Sequence, residues 1–467
     1  MVTFVRSRWL FLRLLGAVYL IAFVSLAVQI TALVGEHGLL PAASDRSLLL
    51  RAWGGAAVSL LLIAGLAPAA SAAALWALYL SLTIAGEEFL RFQWDGLLLE
   101  TGLLAVLYAP FVWRSREASD PEPPAVVRWV LWFLAFKLTF LSGVTKILSG
   151  DPAWAAWTAL TYHYETQPIP AWTSWYMHQL PASIHFWSAA GMFVVEVAVP
   201  WLIFAPPRFV RLRAAAVAMM IALQLSIATT GNYGFFNLLT IVLYLALLDD
   251  RILAPPKRRP TTAPAAGARE GPTNLAAAWQ LVASGLAILI ACFSVMALFR
   301  EIDLTRGQPG VVSRFWSDRA LNAVAPLDSI NGYGLFRVMT TERPEIAVEV
   351  SADGTSWKEW EFKWKAGDVT RRPSFVEPHM PRLDWQMWFA ALDPRAAQRW
   401  LAPLMQRLLD GDEGVARLLG PNPLGSRPRC VRLVYYQYHF TSRAERAATG
   451  AWWKRERIGD LTNPICR

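Results

Sequence analysis

The chain has 467 residues, of which only three are cysteines and only 17% are charged; no Lys or Arg occurs from Ile147 to Pro207. Each shortage excludes something. Ordinary soluble domains carry about 25% charged residues, so a wholly soluble protein is ruled out. The cysteines include no Cys-x-x-Cys pair, which removes support for a zinc site or a thioredoxin-type redox centre. Helix-turn-helix, zinc-finger and RNA-binding signatures are missing too. The net charge of +9 therefore points to membrane topology rather than to nucleic acid. No GxSxG, Walker A or GxGxxG motif stands in the required strand–helix context, and His163, His178 and His185 form no compact ligand pattern, so neither metal nor cofactor is expected. No internal repeat is found.

What is there is a series of long apolar runs. They lie at Trp9–Val34, Leu48–Leu66, Ala69–Gly86, Gly96–Trp113, Val126–Ser149, His185–Ala205, Phe209–Thr229, Phe235–Leu248 and Trp279–Phe299. A span needs ~20 residues, which predicts about nine transmembrane helices, the Phe235–Leu248 run being short enough to be partly re-entrant. The first run is too long for a signal core and is read as a retained helix. Arg6, Arg8 and Arg13 flank its start and place the N-terminus in the cytoplasm. Arg114 and Arg116, then Arg208, Arg211 and Arg213, then Arg251, Lys257, Arg258 and Arg259 fall in loops that this orientation makes cytoplasmic.

The expected organisation is a helical membrane domain at 1–253 with an aromatic outer loop at 150–184. A Pro/Ala-rich cytoplasmic linker follows at 254–274, then a last span at 275–299 and a non-cytoplasmic soluble domain at 300–467. The fold class is thus a polytopic α-helical membrane protein with a mixed α/β, strand-rich C-terminal soluble domain. In that domain Glu345–Val350 and Trp357–Trp364 alternate around Asp353-Gly354, a hairpin signal. Asp384–Leu409 has a helical pattern, and Cys430–Phe440 reads as a strand with Trp452–Arg457 as its partner. Cys430 and Cys466 could form one disulfide in an oxidising compartment.

The outer loop holds Trp154, Trp157, Trp172, Trp175, Tyr162, Tyr164 and Tyr176. Two readings stay open: a belt that anchors helices at the interface, or a surface for a partner. On the second reading the client surface comprises Tyr162, His163, Tyr164, Glu165, Trp172, Trp175, Tyr176 and His178, joined by Arg382, Asp384, Trp385 and Trp388 of the tail. Lys137 lies near mid-membrane, where an ionisable group is a functional candidate by default, and Glu196 is its expected ion-pair partner. Lys146, nine residues on and on the opposite helix face, is either a snorkelling anchor or a base. Arg91, Asp95 and Glu100 form an expected outer-face polar cluster, with an Arg91–Asp95 bridge.

Several stretches together resemble the lipase maturation factor family. They are FQWDGLLLETGLLAVLYAP (92–110), SGVTKILSGDPAW (142–154), TALTYHYETQPIPAWTSWYMHQLP (158–181), TGNYGFFNLLT (230–240), NGYGLFRVMTTERPEI (331–346) and PRLDWQMWFAAL (381–392). The resemblance implies a membrane factor that helps secreted clients, lipases by family, to fold and assemble, in the ER membrane of a eukaryote. The chain lacks any Asn-x-Ser/Thr sequon, and its Ala/Arg/Pro-rich character suggests a bacterial member, which would sit in the inner membrane. FLSGVTKI followed by Trp154 is similar to the lysine-bearing helix of vitamin K-dependent γ-glutamyl carboxylases. That likeness implies, as an alternative, a membrane enzyme with Lys146 as base on a lipid-soluble or peptide substrate.

Overall fold

A computed structural model describes residues 3–253, 274–307 and 318–467. The linker expected at 254–274 lies almost entirely outside the described residues. The membrane part is built from α1 (Val5–Ala27), α2 (Asp45–Ala64), α3 (Pro68–Gly86), α4 (Gln93–Tyr108) and α5 (Ala125–Leu148). Two short helices follow, α6 (Ala159–Thr166) and α7 (Trp172–His178), then α8 (Ala182–Phe193), α9 (Val210–Ala228), α10 (Phe236–Leu245) and α11 (Asn274–Arg306). Local signals set their ends. Ser44 caps α2 by accepting from the Ser47 amide, and Gly65 closes it at φ 74°, a conformation glycine adopts without strain. α5 starts directly after Pro124.

Among the described residues seven helical stretches are long and apolar enough to cross a membrane, including Ala182–Phe204, Pro207–Ala228 and Ala278–Arg306. The expectation of about nine differs by α4, with 16 residues, and α10, with 10. Both are enclosed by other helices over most of their residues. A helix walled by protein need not match the ~30 Å hydrocarbon thickness, because its ends meet protein and not lipid.

The tail contains five antiparallel strands: β1 (Arg343–Ser351), β2 (Lys358–Trp360), β3 (Cys430–Phe440), β4 (Trp453–Asp460) and β5 (Ile465–Cys466). The order is β2-β1-β3-β4, with β5 also paired to β3. Cys430 faces Cys466 in that pairing, and the two are disulfide-bonded. The helical pattern over Asp384–Leu409 resolves into α12 (Arg382–Leu392) and α13 (Gln398–Asp410). Strand alternation gives the sheet two apolar faces. Ile346, Val348, Val350, Val431 and Leu433 join the main core, which includes Trp400 and Leu404 of α13. Ala347, Val434, Tyr436, Tyr438 and Phe440 point the other way and pack with Trp175 of α7.

The sheet therefore rests on the aromatic segment. It does so at the end of α1 away from the N-terminus. The first turn of α1 bonds to Asp250 and the preceding Phe4 amide to Glu122. At the other end Ser25 meets His379 at 2.9 Å, and Gln29 brackets the tail by donating to Met380 O and accepting from the Arg382 amide.

Candidate functional site

Two buried ion pairs organise the membrane part, and their partners are exchanged relative to expectation. Lys137 does not meet Glu196. Its Nζ lies 2.6 Å from Glu100 Oε1 and 2.6 Å from Ser294 Oγ, with both members of the ion pair inaccessible to solvent. Glu100 also accepts from the Tyr333 hydroxyl at 2.7 Å. This network ties α4, α5 and α11 to the start of the tail. Glu196 instead holds Lys146 at 2.9 Å.

The reason lies in backbone geometry. Glu196 sits on a π-helical turn, Val194–Ala198, that continues α8 into a 3₁₀ segment, Val199–Phe204. Such turns appear mostly as single insertions in helices and often at functional sites. The turn packs on α5 at Gly143, where an added Cβ would fall 2.6 Å from Val197 and 2.8 Å from Glu196 Cβ. The missing side chain lets Glu196 approach the helix one turn from Lys146, a register that sequence spacing does not show.

The outer-face cluster is likewise rearranged. Asp95 does not bridge Arg91, which is exposed. Both oxygens of Asp95 accept from Arg382 of the tail, each at 2.7 Å, and Tyr79 donates to Oδ1 at 2.5 Å. Arg382 also donates to Phe89 O. The planar guanidinium meets one carboxylate at two points, a match lysine cannot reproduce.

Several residues expected on a client surface are internal. Trp175 donates to Thr441 O, Trp385 to Asn232 O and Trp388 to Thr166 O, and all three rings are buried. Glu165 accepts from the Phe440 amide at 2.7 Å and contacts His439 at 3.0 Å and His178 at 3.6 Å. Asp384 accepts the Trp364 and Lys365 amides, and its carboxyl is pushed up by burial first. Asp384 is satisfied within the tail, whereas the others hold the tail on the membrane part, because a buried polar atom must find a partner and their partners lie across that boundary. Sequence reading passed over Arg343. Its guanidinium, fully buried, pairs with Glu345 at 2.7 Å and donates to the carbonyls of Glu165, Gln167 and Pro168. Tyr162 and Tyr176 of the loop segment and Phe375 and Phe389 of the tail are exposed aromatics.

Beneath the loop a cavity of about 380 Å³ opens around Lys146 and Glu196. His163 and Tyr164 of α6 roof it, with Met177 of α7 and Phe336 of the tail. Burial, and nearby Lys146 second, push the His163 imidazole down to about 4. Gln224, Asn237 and Tyr244 also line it, none of them singled out from sequence. The signal was there, since an amide inside an apolar run is as unusual as a charge. Among the described residues no group of three His, Cys, Asp or Glu could hold a metal.

One junction residue titrates near neutrality. Glu377 accepts from the Tyr233 amide at 2.6 Å and from Asn237 at 3.3 Å, and burial pushes its carboxyl from 4.5 up to about 7. The folded state thus holds this proton more tightly than the unfolded chain. Its contribution to stability is greatest at low pH and is lost as pH rises from 4.5 through 7. Glu377→Gln keeps an accepting oxygen without the charge. Melting in detergent at about pH 5 and about pH 8 should show a flatter profile for the variant. Equal profiles would remove Glu377 as a source of the slope.

Comparison with known proteins bears on the whole chain. A family model described as lipase maturation factor transmembrane domain matches residues 6–48 and 42–255, and one for the lipase maturation factor C-terminal domain matches 329–463. Lipase maturation factor 2 of Homo sapiens is 36% identical, over 97% of this chain and 82% of its own length. The Gallus gallus protein of the same name is 35% identical, over 98% and 81%. Lipase maturation factor 1 of Bos taurus is 31% identical, over 100% and 90%. These relatives are vertebrate proteins, and the bacterial membership expected from composition is not borne out. No solved structure gives a significant match.

Proposed function

The chain belongs to the lipase maturation factor family, and on that premise we propose that it is a membrane-bound maturation factor assisting the folding and assembly of secreted lipases. The observation that carries this reading is the match across both the membrane part and the tail to proteins bearing that name. The chain is an integral membrane protein of the polytopic helical class. We place its N-terminus in the cytoplasm and its tail in the ER lumen, as the distribution of Lys and Arg supports. The same reading divides it into a membrane domain at 1–253, a cytoplasmic linker at 254–274, a last span at 275–299 and a lumenal domain from 300 onward.

The client then meets the rim where loop and tail join. Tyr176 and Phe375, 45% and 44% exposed, flank Trp172, and Arg372 lies over the Trp172 ring. Exposed aromatics beside an arginine are the residue types that dominate protein recognition. Lys146 as a catalytic base has less support, because its amine is engaged by Glu196 and by Ser142 O.

Expression in cells that lack their own lipase maturation factors tests both parts of the proposal. Secreted lipase activity should be restored, and the tail should resist added protease in sealed microsomes. Tyr176→Ser with Phe375→Ser should reduce secreted activity by about tenfold, a loss of ~1.4 kcal/mol of binding, at an unchanged level of the factor. No rescue by the unaltered chain would overturn the function; cleavage of the tail would overturn the orientation; full rescue by the double variant would move the client elsewhere.

A further inference from the structure

A groove of about 420 Å³ lies where α3, the start of α4 and the first residues of the tail meet. Thr83 and Ile84 of α3, Arg91 and Phe92 just before α4, and Asp328 and Tyr333 of the tail are among its walls. The volume falls within the ~300–1,000 Å³ of ordinary ligand sites. The proposed function makes no use of it.

Two opposite charges line this groove, and neither is met. Arg91 is exposed and Asp328 is half-buried, and among the described residues no hydrogen bond or ion pair reaches either side chain. The two form no ion pair with one another, yet Arg91 pulls the Asp328 carboxyl down. They are close enough to share a field and too far apart to touch. Asn331 sets that spacing. Its side-chain amide donates to Gly96 O of α4 at 3.2 Å and to Asp328 O at 3.1 Å. A single amide therefore separates Asp328 from the first turn of α4, and Arg91 stands two residues before that helix begins.

Charge selects the class of ligand. Burial first, then Asp95 and Glu100, push the Asp328 carboxyl up. Those two carboxylates already hold cations, Arg382 and Lys137. Asp328 holds none, so a ligand here must bring one. Arg91 calls in the same way for an anion. A molecule carrying both signs a short distance apart satisfies the two together, whereas a singly charged one leaves the other unmet. The bilayer edge supplies the rest. Thr83 and Ile84 belong to the apolar stretch Pro68–Leu90, where Ile84 is 62% exposed. The charged groove thus continues into an apolar, lipid-facing surface, as an amphiphile requires.

We propose that this groove binds the head of a zwitterionic phospholipid, of the phosphatidylethanolamine class, drawn from the leaflet on the side of the tail. Arg91 holds the phosphate, the primary ammonium donates to Asp328, and an acyl chain runs down past Ile84. A quaternary choline has no N–H to donate. A glycerol head brings no cation, and a serine head adds a carboxylate where Asp95, Glu100 and Asp328 already make the field negative.

The test is native mass spectrometry of the full chain in detergent, titrated with phosphatidylethanolamine, phosphatidylcholine and phosphatidylglycerol of the same acyl chains. Phosphatidylethanolamine should bind about tenfold more tightly than either, the fold-change that one charge-assisted hydrogen bond gives. Glycerophosphoethanolamine, the same head without chains, should displace it only at far higher concentration. Asp328→Asn keeps a residue type that tolerates the φ of 44° at this position, and should erase the preference over phosphatidylglycerol. Arg91→Gln should weaken phosphatidylethanolamine by about tenfold. Both variants should melt like the unaltered chain, because neither side chain holds another part of it. Asp328→Lys should turn the preference toward phosphatidylglycerol, a gain that poor folding does not produce. Equal binding of the three lipids, or variants that bind as the unaltered chain does, is annular lipid only and overturns the site. Tighter phosphatidylglycerol binding by the unaltered chain overturns the zwitterionic head. Displacement by glycerophosphoethanolamine at equal concentration makes the ligand a free head group and overturns the lipid. None of these results depends on lipase maturation or on which side of the membrane the tail lies.

Discussion

Arg382→Ala should all but abolish the folded protein. The substitution leaves Asp95 buried among α3, α4 and the tail, with only the Tyr79 hydroxyl as partner. Stripping one partner from a buried ion pair costs ~3–5 kcal/mol, because the remaining charge is neither hydrated nor paired. Whole domains are stable by only ~5–15 kcal/mol. The expected result is loss of most of the monodisperse protein in detergent and a large fall in melting temperature for what remains. Arg382→Lys should also be impaired, since one ammonium cannot meet both Asp95 oxygens and the Phe89 carbonyl together. Asp95→Asn combined with Arg382→Met should be less damaged than the single losses added together, as coupled partners require. A near-native melt for Arg382→Ala would mean that the tail is held on the membrane part by its apolar contacts alone.

The second large effect separates the two lysines of α5. Lys137→Met strands Glu100 in a site with no solvent access, where Tyr333 and Ser294 donate to it but no cation remains. Lys146→Met strands Glu196 beside a cavity large enough to admit water. The desolvation penalty follows access to water, so Lys137→Met should lower stability by ~3–5 kcal/mol and Lys146→Met by clearly less. Replacing both Lys137 and Glu100 with apolar residues should recover much of the loss. Melting temperatures and yields of the three variants decide it, and an equal or reversed order would show that the Lys146 site is no wetter than the Lys137 site.

The exchange of ion-pair partners shows where sequence reasoning reached its limit. Straight spanning helices would set Glu196 at the depth of Lys137 and pair the two. The π-helical turn at Val194–Ala198 and the close approach at Gly143 set Glu196 level with Lys146 instead. Depth counted along a sequence does not survive one such insertion. The aromatics Trp175, Trp385 and Trp388 misled in another way. Their abundance marked an interface, and an interface is there, but it joins two parts of the same chain.

By itself the sequence determined what is local or compositional. Apolar runs require helices, because a backbone in lipid must satisfy its own hydrogen bonds. Alternation around a turn requires strands, and quoted motifs carried the family. Only the tertiary structure decided which charges pair, which aromatics are covered, and that a cavity remains under the loop. Arg382 and Asp95 are 287 residues apart, and Glu165 and Phe440 are 275 apart. Nothing in their neighbourhoods along the chain encodes those meetings. A buried charge takes whichever partner the packing of whole helices brings within ~3 Å, and that choice is made only when the membrane part and the tail close on each other.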